Sequence, residues 1–261
     1  MTRIIAYMAA LFALMPGLIV LLASLTASNS LAFPPQGLSL KWYGVLFAGP
    51  EFLSALATSA ILATLTSAIA ILIALPAAFA ISRQKFNGAT IIEGALLSPL
   101  AVPHLVLGIS ILQLYSYFGI RSNLASLLLG HLILIVPFAL RLIISSLAGL
   151  DRRIERAAAS LGANKWTIVR TVVFPQIRVG LLGAFAAGFI LSFDEVSLTI
   201  FLVQPGYTTV PVLLFAQAEN DPRPTIHAAS VILLLTSWFV IFVIDRVVGL
   251  ESVILPGRRA R

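Results

Sequence analysis

Cysteine is absent from the 261 residues. That excludes disulfides, thiol catalysis and thiolate metal sites, and leaves the cellular compartment undetermined. Charge is scarce as well: Asp, Glu, Lys and Arg make up 10% of the chain, where a soluble domain carries about 25%. So few charges cannot clothe a water-facing surface. No G-x-x-x-x-G-K-[ST] phosphate loop occurs, so the chain lacks that route to binding and hydrolysing ATP. The three histidines, His104, His131 and His227, fall in separate apolar stretches, with no close ligand spacing that would signal a metal site. Ser, His and Asp occur without an arrangement that signals nucleophilic catalysis. There is no internal repeat and no low-complexity segment, and the chain reads as one domain over residues 1–261.

What is abundant is apolar sequence: 59% of residues are hydrophobic, and the mean hydropathy is +1.03. Six stretches are long enough to cross a bilayer, which takes about 20 apolar residues as a helix. They are Ile4–Leu25, Leu53–Ile81, Ala95–Phe118, Leu124–Leu147, Gly180–Val203 and Ile226–Val248. The first exceeds the roughly 7–15 apolar residues of a signal peptide and reads as a span. The fold class is therefore an all-α membrane protein with six transmembrane helices.

The net charge of +7 fits a membrane protein whose basic residues collect on the cytoplasmic side. Without aromatic and basic residues interleaved, it does not mark a nucleic-acid surface. With both termini cytoplasmic, the outer side keeps only Lys41, Arg121 and Arg223 of the 17 lysines and arginines. The outer segment Ser28–Phe52 holds Trp42-Tyr43, an aromatic pair suited to the membrane interface. Near Val210–Ala218 the pattern allows a short surface or re-entrant helix.

The basic segment 151–175, between the fourth and fifth stretches, is too polar for lipid. Asp151 is placed to cap a helix. Ile154, Ala157, Ala158 and Leu161 follow at i, i+3, i+4 and i+7, a narrow apolar face. Gly162 is suited to a left-handed C-terminal turn. Asn164 caps a second helix, Lys165–Val173, which Pro175 is expected to stop. Two uses fit this pattern: docking of the small-residue face into a partner's groove, or an amphipathic hairpin against lipid headgroups.

The segment resembles the conserved cytoplasmic loop of ATP-binding-cassette (ABC) importer permeases. That loop reads Glu-Ala-Ala, three residues, Gly, then a spacer ending in a hydrophobic residue and Pro. Ala157-Ala158, Gly162 and Phe174-Pro175 match in order and spacing. The family's Glu falls at Arg156, with Glu155 one residue earlier. Ser192-Phe193-Asp194-Glu195-Val196, the segment Pro205 to Pro211, and Asp245-Arg246-Val247-Val248-Gly249-Leu250 resemble permeases of the spermidine/putrescine type. Relatives in that branch also handle iron(III), phosphonates and opine-like or amino-acid-derived solutes.

The resemblance implies a type I importer permease fold in the bacterial inner membrane. It implies a cytoplasmic coupling helix docked on an ATPase through Glu155, Arg156, Ala157, Ala158, Leu161 and Gly162. It further implies two ATPase subunits that bind ATP and magnesium, a second permease subunit (a heterodimer in this branch), and a periplasmic solute-binding protein. This chain itself would carry no cofactor and no enzymatic activity. A translocation path for a cationic solute draws on Asp194 and Glu195, whose charge at membrane depth asks for a cavity or a partner. Ser192, Phe193, His104 and Tyr115 join them as candidates. A secondary transporter or channel would need no docking loop, and a membrane-embedded enzyme would need a reactive cluster within the spans.

Overall fold

The computed structural model describes residues 2–248 apart from 32, 84–86, 122 and 205; the sequence motif Asp245–Leu250 and the basic residues Lys85, Arg258, Arg259 and Arg261 therefore lie partly or wholly outside the described residues. Among the described residues the chain is helical, with one isolated β-bridge between Thr26 and Leu38 and no strand. Five helices are long and apolar enough to cross a membrane, and a bent pair makes a sixth candidate.

The first candidate span is α1 (Thr2–Ser24). A short helix α2 (Lys41–Ala48) precedes the second span, α3 (Pro50–Arg83). At 34 residues α3 reaches about 51 Å, well beyond a hydrocarbon core of about 30 Å. The third stretch, expected as one span over 95–118, is broken. α4 (Ala89–Leu97) runs into a 3₁₀ turn over Ser98–Ala101, and α5 (His104–Tyr117) leaves it at 103°. Pro103 lacks an amide proton and holds the residue before it out of the helical region. Val102 is accordingly extended, with ψ 130°. Each arm is only about 20 Å long, too short to cross alone.

The fourth span is α6 (Leu124–Ala148), whose N-terminus carries a capping box between Asn123 and Ser126. The loop helix α7 (Arg152–Ser160) and α8 (Lys165–Ile168) follow. A π-helical turn over Val169–Val173 then leads into α9 (Phe174–Phe193). Pro175 therefore does not stop the second loop helix. It sits in the first turn of α9, just after the wide turn has already shifted the hydrogen-bond register, so its missing N–H leaves little unsatisfied. Residues 165–193 form one continuous candidate span.

The fifth span accordingly ends at Phe193 and not at Val203. Asp194 occupies the C-cap, and a separate short helix α10 (Thr199–Leu202) comes after it. α11 (Val210–Asn220) realises the short helix expected near Val210–Ala218, and α12 (Thr225–Val248) is the last span.

Two compact units divide the chain. One comprises residues 2–59 and 204–240. Its core gathers Trp42 and Leu46 of α2, Phe52 and Ala55 of α3, Val210 and Leu214 of α11, and Ala228 and Ala229 of α12. The Trp42-Tyr43 pair expected at a membrane interface is thus part of this packing: Trp42 is buried, and the Tyr43 hydroxyl shares a 2.7 Å hydrogen bond with Ser24 Oγ. Ser59 Oγ accepts from the Val210 amide at 2.9 Å and fixes the start of α11.

The other unit runs from Ala60 to Val203, with the end of α12 from Ile241. Its main core packs α6 on α9 with Ala70, Ala74 and Ala78 of α3. Small residues allow this closeness. A Cβ added at Gly180 would stand 1.9 Å from Ser146 Oγ and 2.7 Å from Ser146 Cβ. A second cluster joins Leu62, Ile111, Tyr115, Leu127, Leu198 and Leu202.

Candidate functional site

The predicted caps of the 151–175 segment are present. Asp151 accepts from the Arg153 amide at 2.8 Å, and Asn164 from the Thr167 amide at 2.8 Å. Gly162 has φ +87° and ends the first helix, its amide donating to the Ala159 carbonyl at 3.0 Å. Ile154, Ala157 and Leu161 are exposed and Ala158 is half-buried. Leu161, at 89% exposure, and the exposed Trp166 extend this apolar surface. About 13 Å of helix thus turns Ile154, Ala157 and Leu161 outward.

The opposite side of α7 is fastened by charge. Glu155 Oε1 lies 2.8 Å from Arg83 Nη2, with side-chain exposures of 21% and 14%. Arg83 also donates to the Leu147 carbonyl at 3.1 Å, near the C-terminus of α6. The Arg152 guanidinium donates to the Ser82 carbonyl in the last turn of α3. Cations at helix C-termini complement the exposed carbonyl ends. One short helix is thereby bonded to the end of α3, and Arg83 ties that end in turn to the end of α6. The sequence pattern does not single out Arg83; its place in the last turn of a span is the available signal.

The second group of candidates surrounds the end of α9. Asp194 and Glu195 are adjacent but part company. Asp194 is exposed at the C-cap. Glu195 is buried, its side chain only 7% exposed, and both carboxylate oxygens are engaged. Oε2 meets His104 Nδ1 at 2.8 Å, and Oε1 accepts from the Leu198 amide at 2.8 Å. On a helix continuing to Val203 these two acids would stand about 100° apart; the end of the helix at Phe193 replaces that geometry with a turn.

Ser192 is buried and faces His131, which lies between two hydroxyls. His131 Nδ1 is 2.8 Å from Ser192 Oγ, and Nε2 is 3.0 Å from Thr199 Oγ1. Thr199 already donates its hydroxyl proton to the Glu195 carbonyl at 2.9 Å. With that proton committed, Thr199 accepts from Nε2–H, and in the neutral ring Ser192 donates to Nδ1. His131 and Thr199 thus join a network that sequence alone did not assemble. Phe193 is buried and stacks on Phe189 with centroids 5.3 Å apart. Tyr115 is buried with Leu62 and Leu127, its hydroxyl donating to the Ser126 carbonyl at 2.8 Å. His104 remains partly exposed at the first position of α5.

With a helix break facing a capped turn and a loop helix held to the end of a span, the chain has the fold of an ABC importer permease. The fold agrees: a chain of a bacterial alginate ABC transporter, solved in complex with an alginate pentasaccharide-bound periplasmic protein, aligns with a TM-score of 0.72 at 12% identity over 94% of this chain and 93% of that one. Residues 70–250 match the family described as binding-protein-dependent transport system inner membrane component, and the chain belongs to that family. The spermidine/putrescine transport system permease protein PotC of Escherichia coli strain K12 is 30% identical over 220 residues, 84% of this chain and 83% of that one. The putrescine transport system permease protein PotI of the same strain is 28% identical over 214 residues, 79% of this chain and 76% of that one.

Proposed function

We propose that this chain forms half of the translocation path of an ATP-driven importer for a small cationic solute of the polyamine class. In this reading it sits in a bacterial inner membrane with six spans and both termini in the cytoplasm, as a single permease domain. It pairs with a second, different permease subunit. A periplasmic binding protein delivers the solute, and two cytoplasmic ATPase subunits bind ATP and magnesium.

The observation that carries this reading is α7. Its outer face exposes Ile154, Ala157 and Leu161, while its inner face is bonded to the end of α3, which Arg83 links to α6. A helix held this way passes a push from a docked motor to the membrane helices. Closure of the ATPases on ATP moves α7, and the Arg83–Glu155 and Arg152–Ser82 contacts carry that movement to α3 and α6. Gly162 gives the loop its return, and Ala157 and Ala158 give the close approach.

The polyamine class is supported by the names of the PotC and PotI relatives and by the exposed carboxylate of Asp194. In this proposal Asp194 meets the cationic solute. Glu195, His104 and Ser192 hold the turn that presents it, and Phe193 and Tyr115 pack the wall behind.

The test is purification of the chain with its neighbouring subunits, followed by reconstitution. ATP-dependent uptake of labelled putrescine or spermidine, with an ATPase subunit co-purifying, is the expected result. Intact solute flux in ATP-free vesicles with no ATPase recovered would sink the proposal.

A further inference from the structure

We infer that the docking surface around α7 recognises an acidic rim on the ATPase subunit, with Arg156 as the residue that pairs with a partner carboxylate. The inference rests on the docking role proposed above and adds the charge of the partner.

The acidic and basic groups of α7 share its charged side but differ in what they contact. Glu155, the one carboxylate within the helix, is turned inward, largely covered and neutralised by Arg83 at 2.8 Å. It is therefore not free to answer a cation on a partner. Arg152 is fixed on the Ser82 carbonyl, which leaves its charge uncompensated. Arg156, one turn further on, is exposed, and among the described residues its guanidinium has no hydrogen-bond or ion-pair partner. Arg153 is likewise exposed, and Lys165 and Arg170 add positive charge beyond Gly162.

An open groove of about 480 Å³ lies along the charged side of α7, round the helix from Ile154 and Leu161, and is lined by Arg83, Arg152, Glu155, Arg156 and Ala159. Three guanidiniums against one carboxylate leave it positive. Ala159 and the fork of Arg156 leave room for a planar carboxylate, the group a guanidinium binds in two parallel hydrogen bonds. The exposed Leu161 and Ile154 lie on the same short helix. A helix with one apolar flank and one cationic flank offers a partner cleft both kinds of contact. Its complement is an apolar groove edged by Asp or Glu.

The experiment uses the whole complex in detergent. Arg156→Glu is expected to lower ATPase co-purification at least tenfold, and Arg156→Lys to keep it within about twofold. In the Arg156→Lys complex, carbodiimide should join the introduced amine to an Asp or Glu of the ATPase, identified by mass spectrometry. Should Arg156→Glu fail to insert, that cross-link decides the matter without it. An intact Arg156→Lys complex with no such cross-link would overturn the inference. So would an Arg156→Glu complex that stays assembled and loses uptake only in vesicles containing anionic lipid, which would give the rim to phosphate headgroups. Recovery of no ATPase with the unaltered chain would instead defeat the docking role itself.

Discussion

Arg83 and Glu155 meet at 2.8 Å, joining the last residue of α3 to the middle of α7. The pair is mostly covered, so it lies between exposed pairs, worth about 0–1 kcal/mol, and buried ones, whose rupture costs about 3–5 kcal/mol. Arg83→Ala is expected to loosen α7 by about 1–2 kcal/mol and to lower solute imported per ATP hydrolysed by roughly tenfold, because a motor on a loose helix turns without moving the spans. The charge swap Arg83→Glu with Glu155→Arg should recover part of that ratio. Equal import per ATP in Arg83→Ala and the parent would remove the pair from the transmission route.

Gly162 supplies a second handle on the same helix. At φ +87° a side chain costs about 1–2 kcal/mol, and no atom lies within 4 Å of an added Cβ. Gly162→Ala should therefore be mild. Gly162→Pro must also abandon φ near +87° and the amide bond to Ala159. It should uncouple ATP hydrolysis from uptake while the subunit still inserts. Uptake by Gly162→Pro at the parental rate would count against a docking role for the loop.

The α6–α9 interface predicts a packing effect independent of function. Gly180→Ala forces a methyl into Ser146, at a cost of about 1–3 kcal/mol, and should lower the detergent melting temperature. Because both Oγ and Cβ of Ser146 obstruct, Ser146→Gly should restore stability in the double variant and Ser146→Ala only in part. An unchanged melting temperature in Gly180→Ala would mean that the two helices sit farther apart than this packing requires.

Asp194 and Glu195 should separate by phenotype. Asp194→Asn removes an exposed charge and is expected to raise the uptake KM for a cationic solute several-fold with little change in melting temperature. Glu195→Gln replaces a buried carboxylate that hydrogen-bonds both His104 and the Leu198 amide and should lower stability by about 1–3 kcal/mol. Matching losses of uptake at constant stability in both variants would contradict the division of roles.

Much of this was legible from sequence, for identifiable reasons. Long apolar runs gave the spans, and Asp151, Gly162 and Asn164 gave the loop's punctuation, because capping is local chemistry. The consequence of a proline was not legible from its presence. Pro103 accompanies a 103° break, whereas Pro175 is absorbed by the π-turn before it. Which one breaks a helix depends on hydrogen-bond register, which residue identity alone does not set. The partners of Arg83, Glu195 and His131 were also hidden, since each contact closes between helices distant in sequence. The misplaced end of the fifth span had a local cause: Glu195 caps the amide of Leu198 and starts a new turn.

The break at Val102–Pro103 has an electrical consequence. A helix that ran straight through would keep its amide groups bonded internally and show no pole at that depth. Starting afresh at His104, α5 has unbonded N–H groups in its first turn, equivalent to about half a positive charge. The Glu195 carboxylate rests against the first side chain of that turn. The backbone therefore helps hold this anion whether or not the imidazole carries a proton, and straightening the bend would withdraw that support along with the His104 contact.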